Sequence, residues 1–132
     1  MKYLNNPFNI RYSTSNRWKG LLGNNNGFCT FVSLQLGVRA AAYLLMVSYR
    51  KLGLDTIEKI LFRFAPLSEN RTYDYIRFIC DKTHISPDVK INSVFAYASI
   101  LKWMWFYESG YSEYQNVQFI LDVIRQYKIR MA

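Results

Sequence analysis

Glu108 is the side chain in this sequence best placed to do acid chemistry. It closes a nearly unbroken apolar run, Val94-Phe-Ala-Tyr-Ala-Ser-Ile-Leu-Lys-Trp-Met-Trp-Phe-Tyr107, and Ser109-Gly110 follow at once. Burial and the negative end of a helix dipole both disfavour an ionised carboxylate there, so its pKa should be raised. Enzymes that cleave glycosidic bonds keep a general acid protonated near neutral pH by that means. Met104, Leu101 and Tyr97 precede Glu108 by four, seven and eleven positions, roughly on its face, and would supply an apolar wall. The competing reading is that Glu108 turns to solvent where its helix ends.

The elements that must position Glu108 follow from punctuation and periodicity. Asn92 or Ser93 can cap the apolar helix, and Gly110 suits the left-handed position that ends it. Upstream, residues 5–31 are rich in Asn and Gly, and Asn24-Asn25-Asn26-Gly27 is a turn signal. Phe28–Phe31 reads as a short strand, expected to pair with Ile10–Ser13. Leu36, Ala40, Tyr43, Leu44 and Val47 predict a helix that Gly53 ends. Asp55-Thr-Ile-Glu58 resembles a capping box for a helix that stops near Ala65, ahead of Pro66. Asn70 is expected to cap a helix to about Lys82, Ser86-Pro87 to open a turn, and Glu113–Lys128 to form the last helix. The expectation is a mainly α (α+β) single domain over 1–132, with a loop and β region at 1–33 and a helical region at 34–132.

Composition bounds the function classes. Of 132 residues, 51% are hydrophobic and 17% aromatic, which specifies a packed domain rather than a disordered chain. Seventeen basic against nine acidic residues give a formal charge of +8, which favours an anionic partner: nucleic acid, a membrane surface or peptidoglycan. The basic residues are scattered rather than grouped in a tail, which weakens the nucleic-acid reading. Cys29, Cys80 and the single His84 lack metal-ligand spacing, so no metal or other cofactor is expected. The N-terminus shows no apolar signal segment, and the longest apolar run is shorter than the ~18 residues of a membrane span and contains Lys102. The expectation is synthesis in the cytoplasm, with release or delivery carrying the protein to the periplasm or cell wall.

Several stretches together resemble a family of phage-associated peptidoglycan-degrading proteins of the lysozyme-like superfamily. They are Asn5-Asn6-Pro7-Phe8-Asn9-Ile10-Arg11-Tyr12, Trp18-Lys19-Gly20, Gly27-Phe28-Cys29-Thr30-Phe31, Gly37-Val38-Arg39-Ala40-Ala41, Thr56-Ile57, Ala65-Pro66-Leu67-Ser68-Glu69-Asn70-Arg71-Thr72 and Tyr75-Ile76. The family usually has Gly where this chain has Phe8. Glu108-Ser109-Gly110 and Tyr114 are similar to the family's later Glu-bearing element. Glu-Ser-Gly at a helix end also resembles the motif of soluble lytic transglycosylases, where the Glu helix precedes the Asn- and Gly-rich β region. The order here is reversed, as in a circular permutation, which domains tolerate when their termini lie close together. Glu108 should then face the loop carrying Asn9 and the region around Trp18.

The resemblance implies a lysozyme-like fold and cleavage of the β-1,4 glycan backbone of peptidoglycan by a murein hydrolase or lytic transglycosylase. It implies Glu108 as the general acid and Glu69 as the rival catalytic carboxylate. Glu69 lies just before a helix N-terminus, which suits a cap, a base or an ion-pair partner better than an acid. Should hydrolysis need a second carboxylate, Glu69, Asp74 and Glu113 are the candidates, whereas a transglycosylase needs none. Trp18 and Phe28 would stack on sugar rings; Asn6, Asn9 and Arg11 would donate to N-acetyl groups or stem carboxylates. The plain alternatives are Trp18 as a core plug and Asn6 or Asn9 as ties for loop backbone. The partners implied are peptidoglycan glycan strands, with an immunity protein or a virion or secretion apparatus as the means of deployment. The rival readings are a non-enzymatic glycan-binding or virion protein and, ranked below it, a basic nucleic-acid-binding domain.

Overall fold

The computed structural model describes residues 4–132; Met1-Lys2-Tyr3, the start of the stretch that shows no apolar signal segment, lie outside them. The described residues open with a loop in which Leu4, Asn6, Pro7, Phe8 and Ile10 are buried. Asn6 is fully buried, and its side chain ties the loop through Ile10 N, Ile10 O and Cys29 O, each at 3.0 Å. A hairpin comes next, β1 (Leu21–Asn25) and β2 (Phe28–Phe31), antiparallel. Asn26 and Gly27 both take positive φ at its turn, as a tight two-residue hairpin connection requires. The expected partner of β2, Ile10–Ser13, contributes only an isolated bridge between Arg11 and Phe28; β1 is the true partner.

The helix α1 (Leu34–Tyr43) starts at Ser33, whose Oγ accepts from Leu36 N, and runs on into a π-helical segment, Leu44–Tyr49. The wider turn buries Leu45, Met46 and Tyr49 and leaves Leu44 and Ser48 half-buried. Gly53, at φ +77°, follows the end of this helix as expected. Gly37 is where the N-terminal loop meets α1: a Cβ there would lie 1.8 Å from the carbonyl oxygen of Asn5. Only a glycine permits that contact.

Thr56, not Asp55, caps α2 (Ile57–Phe64): its hydroxyl accepts from Lys59 N, while Asp55 pairs with Lys90 at 3.8 Å. Asp55 therefore lies one position too early to serve the first turn. Asn70 likewise does not cap α3 (Thr72–Thr83); its amide donates to Pro66 O at 3.2 Å and steadies the preceding turn. The Thr72 hydroxyl instead donates to Ala65 O, joining the start of α3 to the end of α2.

Ser93 caps α4 (Val94–Ser109), which is apolar on almost all sides and correspondingly central. It packs against α1, α3 and α5 (Val117–Gln126). The last helix starts at Asn116, later than Glu113, because Gln115 is buried with its amide donating to Lys102 O. Trp105 on α4 meets Phe8 at 5.8 Å and Phe119 of α5 at 6.1 Å between ring centroids. Phe8, where the family resembled has Gly, is thus a fully buried plug that fastens the N-terminal loop to the central helix. One cluster of buried side chains extends from Phe8 to Ile129. The protein is mainly α with a small N-terminal β element. Among the described residues, no helix is long and apolar enough to cross a membrane.

Candidate functional site

The end of α4 is clamped to the N-terminal loop. The Asn9 side-chain amide donates to both the carbonyl oxygen and Oε1 of Glu108, each at 3.1 Å. The Ser109 hydroxyl donates to Pro7 O at 2.5 Å. Gly110 then adopts φ +79°, ψ −164°, a region essentially restricted to glycine but not the left-handed helical cap expected for it. The three residues of Glu-Ser-Gly thus supply, in turn, the carboxylate, the tether and the exit turn.

Glu108 is half-buried at the edge of a cleft of about 650 Å³. That volume lies within the range of small-ligand sites. Asn9, Arg11, Trp18 and Phe28 line it from the N-terminal region, and Leu44, Ser48 and Tyr49 from the π-helical segment. Arg63 and Phe64 of α2 also line it, as do Glu69 and Asn70 on the turn before α3. Burial pushes the Glu108 carboxyl above its usual pKa; the Asn9 amide, the Tyr75 hydroxyl and the Arg11 guanidinium pull it back, and burial prevails. The same burial, opposed by Arg63, raises the Tyr49 phenol to about 12.

Among the residues singled out from sequence, Glu108, Glu69, Asn9, Arg11, Trp18 and Phe28 come together around this cleft. Arg11 lies over the Phe28 ring at 5.4 Å, so the two form one cationic and apolar edge. The Trp18 ring meets Tyr43 edge-on at 6.3 Å, and its buried Nε1 has no hydrogen-bond partner among the described residues. Trp18 therefore combines packing with a face toward the cleft. Glu69 is exposed on its turn, with its own N–H donating to Pro66 O.

Two expected site residues lie elsewhere. Asn6 has no exposed surface and spends both its amide nitrogen and its oxygen on backbone, so it builds the loop rather than touching a ligand. Tyr114 is exposed, packs on Phe119 at 5.5 Å between ring centroids and does not line the cleft. The apolar wall also differs from expectation. Tyr97 is eleven residues before Glu108, roughly 16 Å along the helix, and its hydroxyl accepts from Arg50. Tyr75, Asn9 and Arg11 are the groups that act on the carboxylate. Tyr75 reads in sequence as one more core position of α3. Nothing in its spacing announces a hydroxyl directed at Glu108.

No family model matches the chain. Fold and site define a small, mainly helical protein with a carboxylate held in a mixed polar and aromatic cleft. The chain is 35% identical over 114 residues to Protein P5 of Pseudoalteromonas phage PM2, an alignment covering 83% of this chain and 71% of the phage protein. It belongs to the family of that phage protein.

Proposed function

We propose that the protein cleaves the β-1,4 glycan backbone of peptidoglycan, with Glu108 as general acid on a lysozyme-like, permuted scaffold. The observation that carries this reading is the Glu108 carboxyl itself: raised by burial, fixed by Asn9, and set in a cleft large enough for sugar rings. Asn9 Nδ2 can only donate, so Oε1 accepts and the proton of neutral Glu108 resides on Oε2. From Oε2 it passes to the glycosidic oxygen as the C1–O bond breaks and positive charge develops on the sugar ring. Glu108 is left as the carboxylate. Glu69, across the same cleft, is the carboxylate available to activate water for hydrolysis; transglycosylation would use the sugar's own hydroxyl instead.

Trp18 and Phe28 provide faces for sugar rings, and Arg11 a guanidinium for stem carboxylates. The formal charge of +8 suits a polyanionic wall polymer. Kinship with a phage protein favours deployment by a virion or at lysis over a secreted toxin. The test is purified peptidoglycan incubated with the native protein and with Glu108→Gln. Soluble muropeptides released only by the native protein sustain the reading. Reducing ends would mark hydrolysis, and anhydro-sugar ends transglycosylation. Equal release by both proteins removes Glu108 from the mechanism, and binding without release by either makes the protein a glycan-binding component.

A further inference from the structure

Tyr75 is nearly fully buried on α3, and its hydroxyl has no hydrogen-bond partner within ordinary distance among the described residues. An unpaired buried hydroxyl costs stability, so its retention calls for a use. Its ring stacks on Tyr107, the residue before Glu108, at 3.8 Å between centroids and 17° between planes. The stack seats Tyr75 against the end of α4, and its hydroxyl favours the ionised Glu108 carboxyl from the α3 side while Asn9 holds that carboxyl from the N-terminal loop. We propose that Tyr75 is a positioning residue whose hydroxyl is held in reserve for the Glu108 carboxylate that forms when the proton leaves for the substrate. This inference rests on the general-acid reading of Glu108.

Charge development gives the hydroxyl its use. Neutral Glu108 needs one donor, at Oε1, and Asn9 supplies it. Once Oε2 gives up its proton it becomes a second acceptor in a half-buried site, where a fixed donor serves it without the reorganisation that water requires. A pre-placed O–H then stabilises the product of proton transfer more than the reactant, which is the condition for raising a rate. The other groups bearing on the pair are Arg11, which also favours the carboxylate, and Tyr107, which disfavours a tyrosinate at Tyr75. Tyr49, Arg63 and Glu69 complete the titratable and charged lining of the cleft. Tyr75 itself stays a neutral phenol, because burial and the adjacent carboxylate both raise it far above its ordinary value.

The test is Tyr75→Phe, which removes only the hydroxyl. Carbon-13 NMR of the glutamate side chains should show Glu108 titrating at higher pH in the variant, since the ionised form has lost a donor. The alkaline limb of the pH profile for glycan cleavage should move up with it. At the optimum, kcat should fall about three- to tenfold with KM unchanged, the pattern of an interaction made only as charge develops. Tyr75→Phe should keep or raise the melting temperature, because an unpaired hydroxyl has been removed. An unchanged Glu108 titration would overturn the proposal and leave Tyr75 a packing residue. Should the native protein release no muropeptides, the functional reading fails by itself, and the NMR titration still decides whether Tyr75 and Glu108 are coupled.

Discussion

One side-chain amide, that of Asn9, holds both the backbone carbonyl and the carboxylate of Glu108, 99 positions away in the chain. The amide satisfies one of the carbonyls left open at the C-terminal end of α4 and orients the acid with the same nitrogen. Asn9 has positive φ (53°), a backbone conformation that asparagine tolerates better than most residues, so loop shape and acid orientation are fixed together.

Asn9→Asp tests this double role with little change of shape. The new carboxylate cannot donate to Oε1 at neutral pH and sets a like charge beside Glu108. Glu108 should titrate higher than in the native protein. Stability should drop by about 1–3 kcal/mol at neutral pH, the usual cost of leaving a buried polar group mispaired, and recover on acidification as the pair takes up a proton. Denaturant titrations at pH 4 and pH 7.5 check it; equal losses at both would show that loop geometry alone is affected.

Glu108→Gln should stabilise the protein at neutral pH while abolishing the proposed activity. Because the folded pKa of Glu108 lies above its unfolded value, the native state binds more protons between the two. Its contribution to stability is therefore best below the unfolded pKa and falls as pH rises through the folded one. Glutamine keeps the oxygen that accepts from Asn9 and has no charge to bury. The melting temperature of the variant should exceed that of the native protein by a few degrees near pH 7, on the order expected for ~1 kcal/mol in a domain of this size. The gap should close near pH 4. A native protein that is the more stable of the two at pH 7 would contradict the burial argument.

What could be read from sequence divides along physical lines. Local signals marked the hairpin turn within Asn24–Gly27, the end of α2 near Ala65 and the start of α4 at Asn92 or Ser93, of which Ser93 is the cap, because each depends on a few adjacent residues. Pairing did not follow so directly. Leu21–Asn25 is Leu-Leu-Gly-Asn-Asn, with no apolar alternation to mark a strand, and only tertiary packing makes it, rather than Ile10–Ser13, the partner of Phe28–Phe31. At Asp55-Thr56 two polar residues compete for one cap, and Asp55 pairs with Lys90 instead; at Asn70 the amide is spent on Pro66 O, and α3 starts after Arg71 with no side-chain cap. In the site, Glu108 stood out because a carboxylate ends an apolar helix. Tyr75 did not, because a buried tyrosine at helical spacing looks the same whether or not its hydroxyl faces a functional group. The separation of Asn6 from Asn9 was equally hidden: the two lie three residues apart, yet one is loop framework and the other touches the acid.

That separation gives a third prediction. Asn6→Ala removes bonds to Ile10 and Cys29: Ile10 N loses its acceptor and Cys29 O a donor, while Ile10 O still accepts from Cys29 N. The expected loss is about 2–4 kcal/mol, roughly one to two unsatisfied groups. Activity measured well below the melting temperature should fall through displacement of the whole loop, not through a specific change in KM. A variant with native stability and a raised KM would return Asn6 to the binding surface.

Gly37→Ala probes the contact that carries the loop. The added methyl would stand 1.8 Å from Asn5 O, which is backbone and cannot swing aside as a side-chain tip can. Alanine favours the helix by itself, so any loss must come from the collision. Either α1 and the loop move apart or the protein unfolds more readily, at a cost of about 1–3 kcal/mol for overpacking of this kind. Displacing Asn5 also strains its bond to Phe31 O and carries Asn9 away from Glu108. The Ala variant should therefore lose melting temperature and show a Glu108 titration shifted upward, as in Asn9→Asp at neutral pH. Gly53→Ala is a poor control because of its positive φ, whereas Gly23→Ala meets nothing within 4 Å and has no such strain. Near-native stability and Glu108 titration in Gly23→Ala, beside the double defect of Gly37→Ala, would establish that loop docking on α1 sets the acid. A Gly37→Ala protein with native stability and an unmoved Glu108 would show instead that the loop is held without that contact.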